Sequence, residues 1–318
     1  MADEKITVHA KGSDTMYDVI VVGGGPAGMT AALYAQRNGK QALVIEKNGF
    51  GGQITHSPKV ENYPGILTMS GNEFADKMLD QILKQGAEIE FENVTSVESE
   101  EHCKKVYTEE GSVYETKTVI LATGVKHRML GLPGENELVG EGISFCAVCD
   151  GDFYKGLTVC VAGGGNSALQ EAILLSEKCK EVIMLQDLPR FTGEEKLQEV
   201  LFSRPNVRSY TGVRIEELLA VDGALQGVRI SGENGTQDIS CDGLFVAIGL
   251  IPENDAFRGL AELNDYGYFN SDEQCLTKTP GIYAAGDCRS KNVRQLTTAV
   301  ADGAQAALAA CRYIDTAC

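Results

Sequence analysis

The sequence predicts an α/β fold of two Rossmann-like modules, each a three-layer ββα arrangement, with the second inserted in the first. Three observations point there. An apolar strand, a glycine-rich turn and a helix follow one another from Tyr17 and again from Leu157, and a short strand near the C-terminus ends in Gly286-Asp287. Length and composition suit a globular chain of about two domains: 318 residues, 43% hydrophobic and 23% charged, with 36 Gly against 8 Pro.

Tyr17–Val22 is a run of β-type apolar residues, as a strand covered on both faces requires, and Gly23-Gly24-Gly25-Pro26-Ala27-Gly28 follows at once. A helix is expected over Met29–Asn38 and a second strand over Gln41–Ile45, which Glu46 ends 21 residues beyond Gly25. That spacing is the fingerprint of a dinucleotide-binding βαβ unit. The unit recurs as the strand Leu157–Ala162, the turn Gly163-Gly164-Gly165-Asn166-Ser167-Ala168, a helix running to Lys178, and the strand Glu181–Leu185. Val119–Gly124 reads as a buried strand ending in small residues, and Leu244–Gly249 is its counterpart in the second half. Gly281–Asp287 reads as a last short strand and turn, and Thr297–Tyr313 as an alanine-rich closing helix. The first domain is therefore expected at 16–125 and 252–318, and the inserted one at 126–251. Residues 1–15 lack periodicity and read as a disordered leader or a tag.

Each glycine of the first turn has its own physical reason. Gly23 permits the tight turn, Gly25 lets the backbone approach a pyrophosphate, and Gly28 allows close helix–strand packing, with phosphate at the helix N-terminus. Glu46 is placed to accept ribose hydroxyls. In the second module Gly163, Gly165 and Ala168 give the same pattern with Ala at the packing position, and Asp187 stands 22 residues after Gly165, at the ribose distance. Asp187 would repel a 2'-phosphate, for which Arg190 alone provides little.

Charge and leader signals narrow the function classes. With 28 Lys plus Arg against 45 Asp plus Glu the formal charge is -17, which opposes nucleic acid and anionic membrane surfaces as partners. No apolar run is long enough to span a bilayer and the N-terminus has no apolar signal region, so a cytoplasmic protein is expected. Among ten cysteines most stand singly and read as packing residues, Cys288 beside Asp287 included. Cys146-Ala147-Val148-Cys149-Asp150 differs. No second cysteine pair or histidine pair completes a zinc site, so no metal is expected. Two cysteines three apart suit thiol–disulfide exchange, with Asp150 placed to move the proton.

The motifs taken together resemble the low-molecular-weight bacterial thioredoxin reductases over nearly the whole chain from Tyr17. The matching stretches are Gly23–Gly28, Gly51-Gly52-Gln53 with Val60-Glu61-Asn62-Tyr63-Pro64-Gly65, Ala122-Thr123-Gly124, Leu132-Pro133-Gly134-Glu135, Cys146–Gly151, and Gly286-Asp287 with Arg294-Gln295. The resemblance implies FAD in the first module on Gly23, Gly25, Pro26, Ala27, Gly28 and Glu46. It places Gly52, Gln53 and Asn62 in flavin-contacting loops, with Thr123, Gly124, Gly286, Asp287, Arg294 and Gln295 along the flavin and its ribityl chain. It further implies that Cys149 faces the flavin, Cys146 attacks the partner disulfide, Asp150 is the acid–base group, the second domain rotates to expose the dithiol, thioredoxin is the partner, and the protein is a homodimer.

One departure opens the electron donor. NADPH-using members carry His-Arg-Arg, three residues, then Arg, where this chain has Gln186-Asp187-Leu188 and Thr192. NADPH is therefore disfavoured, and three donors stay open. The first is NADH, with Asp187 on the ribose and Gly163, Gly165, Asn166, Ser167 and Ala168 around the pyrophosphate. The second is reduced ferredoxin, against which the net acidity counts unless basic residues cluster locally. The third is a flavin dithiol oxidase that passes electrons to oxygen, ranked lower because Asp150 is kept. NADH ranks narrowly first. A non-catalytic flavoprotein and the CxxC-free ferredoxin–NADP reductase type both conflict with Cys146 and Cys149.

Overall fold

The computed structural model describes residues 16–57, 59–100, 103–233 and 235–317; the stretch 1–15, read above as leader or tag, lies outside them, as does Cys318. The chain divides into two compact units. One comprises residues 16–55, 69–126 and 252–317, and the other His56–Thr68 with His127–Ile251. The stretch 56–68, assigned to the first domain in the sequence, clusters with the second unit.

In the first unit the strands Glu88–Glu90, Ala42–Ile45, Tyr17–Val22 and Val113–Leu121 lie side by side and parallel. Val113–Leu121 has a divided outer edge. Its first half pairs antiparallel with Lys104–Thr108, followed by Val94–Ser99, and its last three residues pair parallel with Ile282–Ala284. Alternation of side chains along each strand feeds two cores. Val19, Val21, Val44 and Ile120 face Pro26–Arg37 and Leu296–Ala317, whereas Ile20, Leu43, Val119 and Leu121 face Val97, Val106, Phe257 and Phe269. The two helices approach through Ala and Gly. A Cβ at Gly303 would run into the carbonyl of Ala27, so the closeness needs that glycine.

The second unit repeats the plan. Its parallel sheet runs Val207–Thr211, Glu181–Gln186, Thr158–Ala162, Gly243–Val246, Ile143–Ser144. Val159, Val161, Val182, Met184 and Phe245 pack on Ala168, Leu169, Ala172 and Leu175 of the helix Asn166–Ser176. The opposite face, Cys160, Ile183, Leu185, Leu244 and Val246, packs on an antiparallel sheet of Arg214–Val221, Ala224–Gly232 and Gly235–Ser240. Both units therefore have helix, parallel sheet and antiparallel sheet as their layers, the α/β arrangement expected from the two glycine turns.

Boundaries moved by a few residues for identifiable reasons. The first helix begins at Pro26, whose fixed φ and missing N–H suit the first helical position, and the closing helix runs from Leu296 to Ala317. The helix Gly71–Lys84 has no counterpart in the reading above. It starts at a capping box in which Glu73 N–H donates to Ser70 Oγ (3.1 Å) and Ser70 N–H to Glu73 Oε2 (3.0 Å). Of the cysteines read as single, Cys160 and Cys241 are buried in the same core cluster of the second unit.

Candidate active site

In the first unit the expected nucleotide residues converge around the turn after the first strand. Gly23 has φ +110° and a Cβ there would strike the carbonyl of Ala122, so the turn must nestle against the 122–124 segment. A Cβ at Gly28 would strike the carbonyl of Gly23. Gly25 is different in kind: no protein atom lies within 4 Å of its Cβ position. The protein's own packing does not require glycine there, which fits a group that must come close to the backbone. The helix that follows has no side-chain cap and no acidic residue in its first turn, so its free amides at Ala27 and Gly28 are not neutralised from within. Around the same spot, Gly51 N–H donates to Gly24 O (2.9 Å), Gly52 stands over Gly25, and Ala27 backs Gly286. These residues fit a dinucleotide's pyrophosphate.

Glu46, expected on a ribose, accepts from the backbone N–H of Gly24 (2.7 Å) and of Asn48 (2.9 Å) and remains partly exposed at the end of its strand. Gln53 lies exposed in the 3-10 turn Gly52–His56. Thr123 Oγ1 donates to Asn254 Oδ1 (2.7 Å), and the buried Asn254 in turn donates to the carbonyls of Gly267 and Cys288 (2.9 Å each). Gly124 takes a positive φ of +66°. Asp287 is held by Lys291, 3.2 Å from its Oδ1, and burial raises its carboxyl above the ordinary range against that pull. Arg294 lies over the Tyr268 ring at 4.1 Å and donates to the Asp287 carbonyl (3.2 Å), with Gln295 next to it before the closing helix. Cys288 is fully buried against the carbonyls of Ala285 and Leu121.

In the second unit Cys146 and Cys149 are joined as a disulfide across one turn of the short helix Ala147–Asp150, with Cα atoms 5.3 Å apart. Cys146 is the N-cap. Its sulfur accepts from the Cys149 N–H (3.2 Å), and Val148 between the two cysteines is exposed. Ser144 links Asp150 to the disulfide: its hydroxyl donates to Asp150 Oδ2 (2.6 Å) while its oxygen accepts from the Cys146 N–H (3.1 Å). Burial raises the Asp150 carboxyl above the usual carboxylate range, and the Ser144 bond opposes the rise. Asp150 Oδ1 is buried without a hydrogen-bond partner. The Asn62 amide nitrogen, expected beside the flavin, lies 4.0 Å from Cys149 Sγ. A carboxyl that can hold a proton beside a reducible disulfide is the chemistry of dithiol release.

The second glycine turn has the geometry of the first. Gly163 takes φ +128°, and no atom comes nearer than 3.9 Å to a Cβ at Gly165. The helix from Asn166, with Ser167 and Ala168, likewise lacks a side-chain cap or acidic first-turn residue. Asp187 follows the strand Glu181–Gln186 directly and is exposed. The segment beyond it folds back: Thr192 and Gly193 N–H donate to the Gly164 carbonyl (2.8 and 2.9 Å). Asn166 and Glu194 are doubly bonded, with Glu194 N–H to Asn166 Oδ1 at 2.7 Å and Asn166 Nδ2 to Glu194 Oε1 at 2.9 Å.

Several residues here carry no motif. Ser144 and Asn254 are single polar residues in otherwise ordinary stretches, and only their neighbours in space give them meaning. Glu135 is different: its carboxylate accepts from the amides of Leu130 (2.7 Å), Gly131 (2.8 Å) and Leu132 (3.3 Å), a backbone-closing role inside the Leu132–Glu135 motif. Glu171, on the helix behind the disulfide, has a buried Oε2 without a hydrogen-bond partner, and burial pushes its carboxyl up to about 8 with the Asp150 charge adding to the rise. Among the described residues no cluster of His, Cys, Asp and Glu is arranged to hold a metal, and no helix is long and apolar enough to cross a membrane.

Comparison with known proteins places this geometry. The family described as pyridine nucleotide-disulphide oxidoreductase matches residues 17–303. A thioredoxin reductase of Listeria monocytogenes is 38% identical over 304 residues, 95% of each chain, and one of Treponema pallidum is 39% identical over 311 residues, 95% of this chain and 99% of that one. The crystal structure of thioredoxin reductase from Streptococcus pyogenes is 38% identical, covers 96% of this chain and 100% of its own, and superposes with a TM-score of 0.91.

Proposed function

This chain belongs to the pyridine nucleotide-disulphide oxidoreductase family, within the thioredoxin reductases, and from that premise we propose that it reduces the disulfide of a thioredoxin through FAD and Cys146–Cys149. It is an FAD-dependent oxidoreductase. The observation that carries the proposal is the Cys146–Cys149 disulfide with Asp150 hydrogen-bonded beside it.

FAD, when bound, supplies the electron pair that opens the disulfide. Gly25 and the uncapped helix start at Pro26–Gly28 would hold its pyrophosphate, Glu46 its ribose, and Asp287, Arg294 and Gln295 its ribityl end. Opening the disulfide takes one electron pair and two protons and leaves a dithiol. Burial favours the neutral, proton-bearing form of Asp150, and Ser144 keeps the carboxyl aimed. The Cys146 thiolate then attacks the partner disulfide, one partner sulfur leaves, and Cys149 resolves the mixed disulfide, so the pair ends oxidised and the partner reduced.

Donor choice rests on the second module. Absence of the arginine set at 186–188 and 192 disfavours NADPH, and the exposed Asp187 suits the hydroxyls of NADH. A ferredoxin donor is favoured by one observation: the Glu194 carboxylate, bonded to Asn166, brings negative charge to the first helical residue, where a pyrophosphate would have to lie. NADH ranks first on the retained glycine turn. Family likeness supports a homodimer. The test is anaerobic flavin bleaching near 450 nm with NADH, NADPH or reduced ferredoxin added separately, thioredoxin then being supplied. Rapid bleaching by NADH supports the ranking. Bleaching by ferredoxin alone overturns it, and bleaching without thioredoxin reduction overturns the assigned acceptor.

A further inference from the structure

We propose that Asp302, a residue in no motif, is the positioning residue of the flavin-binding turn and sets the charge balance there. The inference rests on the reading of the first unit as an FAD site. Asp302 lies on the closing helix one turn beyond Thr298, and three groups of the 286–291 segment meet its carboxylate. Arg289 Nη1 donates to Oδ1 (2.8 Å), while Lys291 Nζ (3.0 Å) and the Gly286 N–H (3.1 Å) donate to Oδ2. Thr298 Oγ1 accepts a further bond from Lys291 (3.3 Å). Both cations keep only 11% of their side-chain surface and Asp302 14%, so these pairs are screened far less than surface ones.

Lys291 also reaches Asp287 Oδ1 at 3.2 Å. Two cations thus face two carboxylates, with the Arg294 guanidinium also close to Asp287. Asp287 belongs to the turn expected along the ribityl chain, and its backbone is fixed from both sides: the Gly286 amide by Asp302, the Asp287 carbonyl by Arg294. Arg289 is further held by Ser271 Oγ (2.9 Å) and the Asp272 carbonyl (2.8 Å), so it cannot follow a missing carboxylate into solvent. Neutralising Asp302 leaves two buried cations against one carboxylate. Lys291 would then draw Asp287 more strongly, shifting the turn, and the net positive charge would favour reduced flavin.

The test uses full-length holoprotein with Asp302→Asn, Lys291→Gln and, as a control elsewhere in the same unit, Asp18→Asn, which breaks the 2.7 Å Lys117 pair. FAD affinity is measured by titrating apoprotein, and the midpoint potential in excess FAD. D302N is expected to weaken FAD at least tenfold and move the potential to more positive values. K291Q is expected to move it the other way, and D18N to change neither. A purely structural role would give no reversal of sign between D302N and K291Q, and that result, or unchanged FAD affinity in D302N, overturns the proposal while leaving the FAD reading intact. If the unmodified chain takes up no FAD, both fall.

Discussion

Replacing Gly25 by Ala separates the demands of the fold from those of the cofactor. Gly25 has φ -76° and ψ -177°, open to any residue, and nothing within 4 Å of its Cβ position. Ala there should leave the apoprotein unchanged or stabilise it by about 0.4–1 kcal/mol, because the unfolded chain loses freedom. The other two glycines behave in the opposite way. Gly23→Ala forces a Cβ onto φ +110° and into the Ala122 carbonyl, and Gly28→Ala drives one into the Gly23 carbonyl. Strain of about 1–3 kcal/mol and overpacking of about 1–3 kcal/mol put G23A at about 2–6 kcal/mol, while G28A carries the overpacking alone. FAD affinity should show the reverse order of cause. G25A should lose at least about tenfold, about 1.4 kcal/mol, by holding the pyrophosphate off the backbone amides. Urea unfolding of the apoproteins gives the stabilities and flavin fluorescence quenching the affinities. Apo G25A destabilised by more than about 2 kcal/mol, or binding FAD as tightly as the unmodified chain, would refute the division of roles.

Other substitutions probe the disulfide. Asp150→Asn should retain FAD and the disulfide yet lower thioredoxin turnover by about 100-fold or more, as loss of a proton donor does; an unchanged turnover number removes Asp150 from the chemistry. Ser144→Ala removes the bond that holds the Asp150 carboxyl down, so the pH limb assigned to Asp150 should move to higher pH, and a fixed limb would contradict the assignment. Glu171 titrates at about 8 when folded against 4.5 when unfolded. Between those values the unfolded chain is ionised and the folded one protonated, so stability falls as pH rises through that window and the full cost stands above it. Glu171→Gln should therefore raise the melting temperature more at pH 9 than at pH 5. Parallel melting curves for both proteins across that range would show Glu171 unperturbed.

How much of this was legible in the sequence depends on whether local pattern or distant contact carries the information. Val19–Val22 and Val159–Ala162 are uninterrupted apolar runs because helices cover one face and antiparallel strands the other, and the glycine turns after them are local backbone demands. The fold class followed from those two features. The antiparallel strands Arg214–Val221 and Gly235–Ser240 were not legible: they bury one face only, and charged residues such as Arg214, Glu217 and Asp238 fill the other. The helix Gly71–Lys84 could have been found from Ser70-Gly-Asn-Glu73 followed by Phe74, Met78, Leu79 and Ile82, a capping box before an apolar stripe. At the site, Cys146, Cys149 and Asp150 are contiguous and visible as a motif. Ser144, Asn254, Glu171 and Asp302 are not, since each acts on a partner that folding alone brings near. Asn62 was read toward the flavin, and its place 4.0 Å from Cys149 Sγ was not readable from the loop motif that contains it.

On the proposed function, flavin and disulfide lie on one electron path. Anaerobic titration of the holoprotein with a calibrated reductant, read by flavin absorbance and thiol count, tests it most directly. The unmodified protein should take up one electron pair for the flavin and a second for Cys146–Cys149, with two thiols appearing, whereas Cys149→Ser should take up only the first. An unmodified protein whose flavin is fully reduced by a single pair, with no thiols released, would contradict the account.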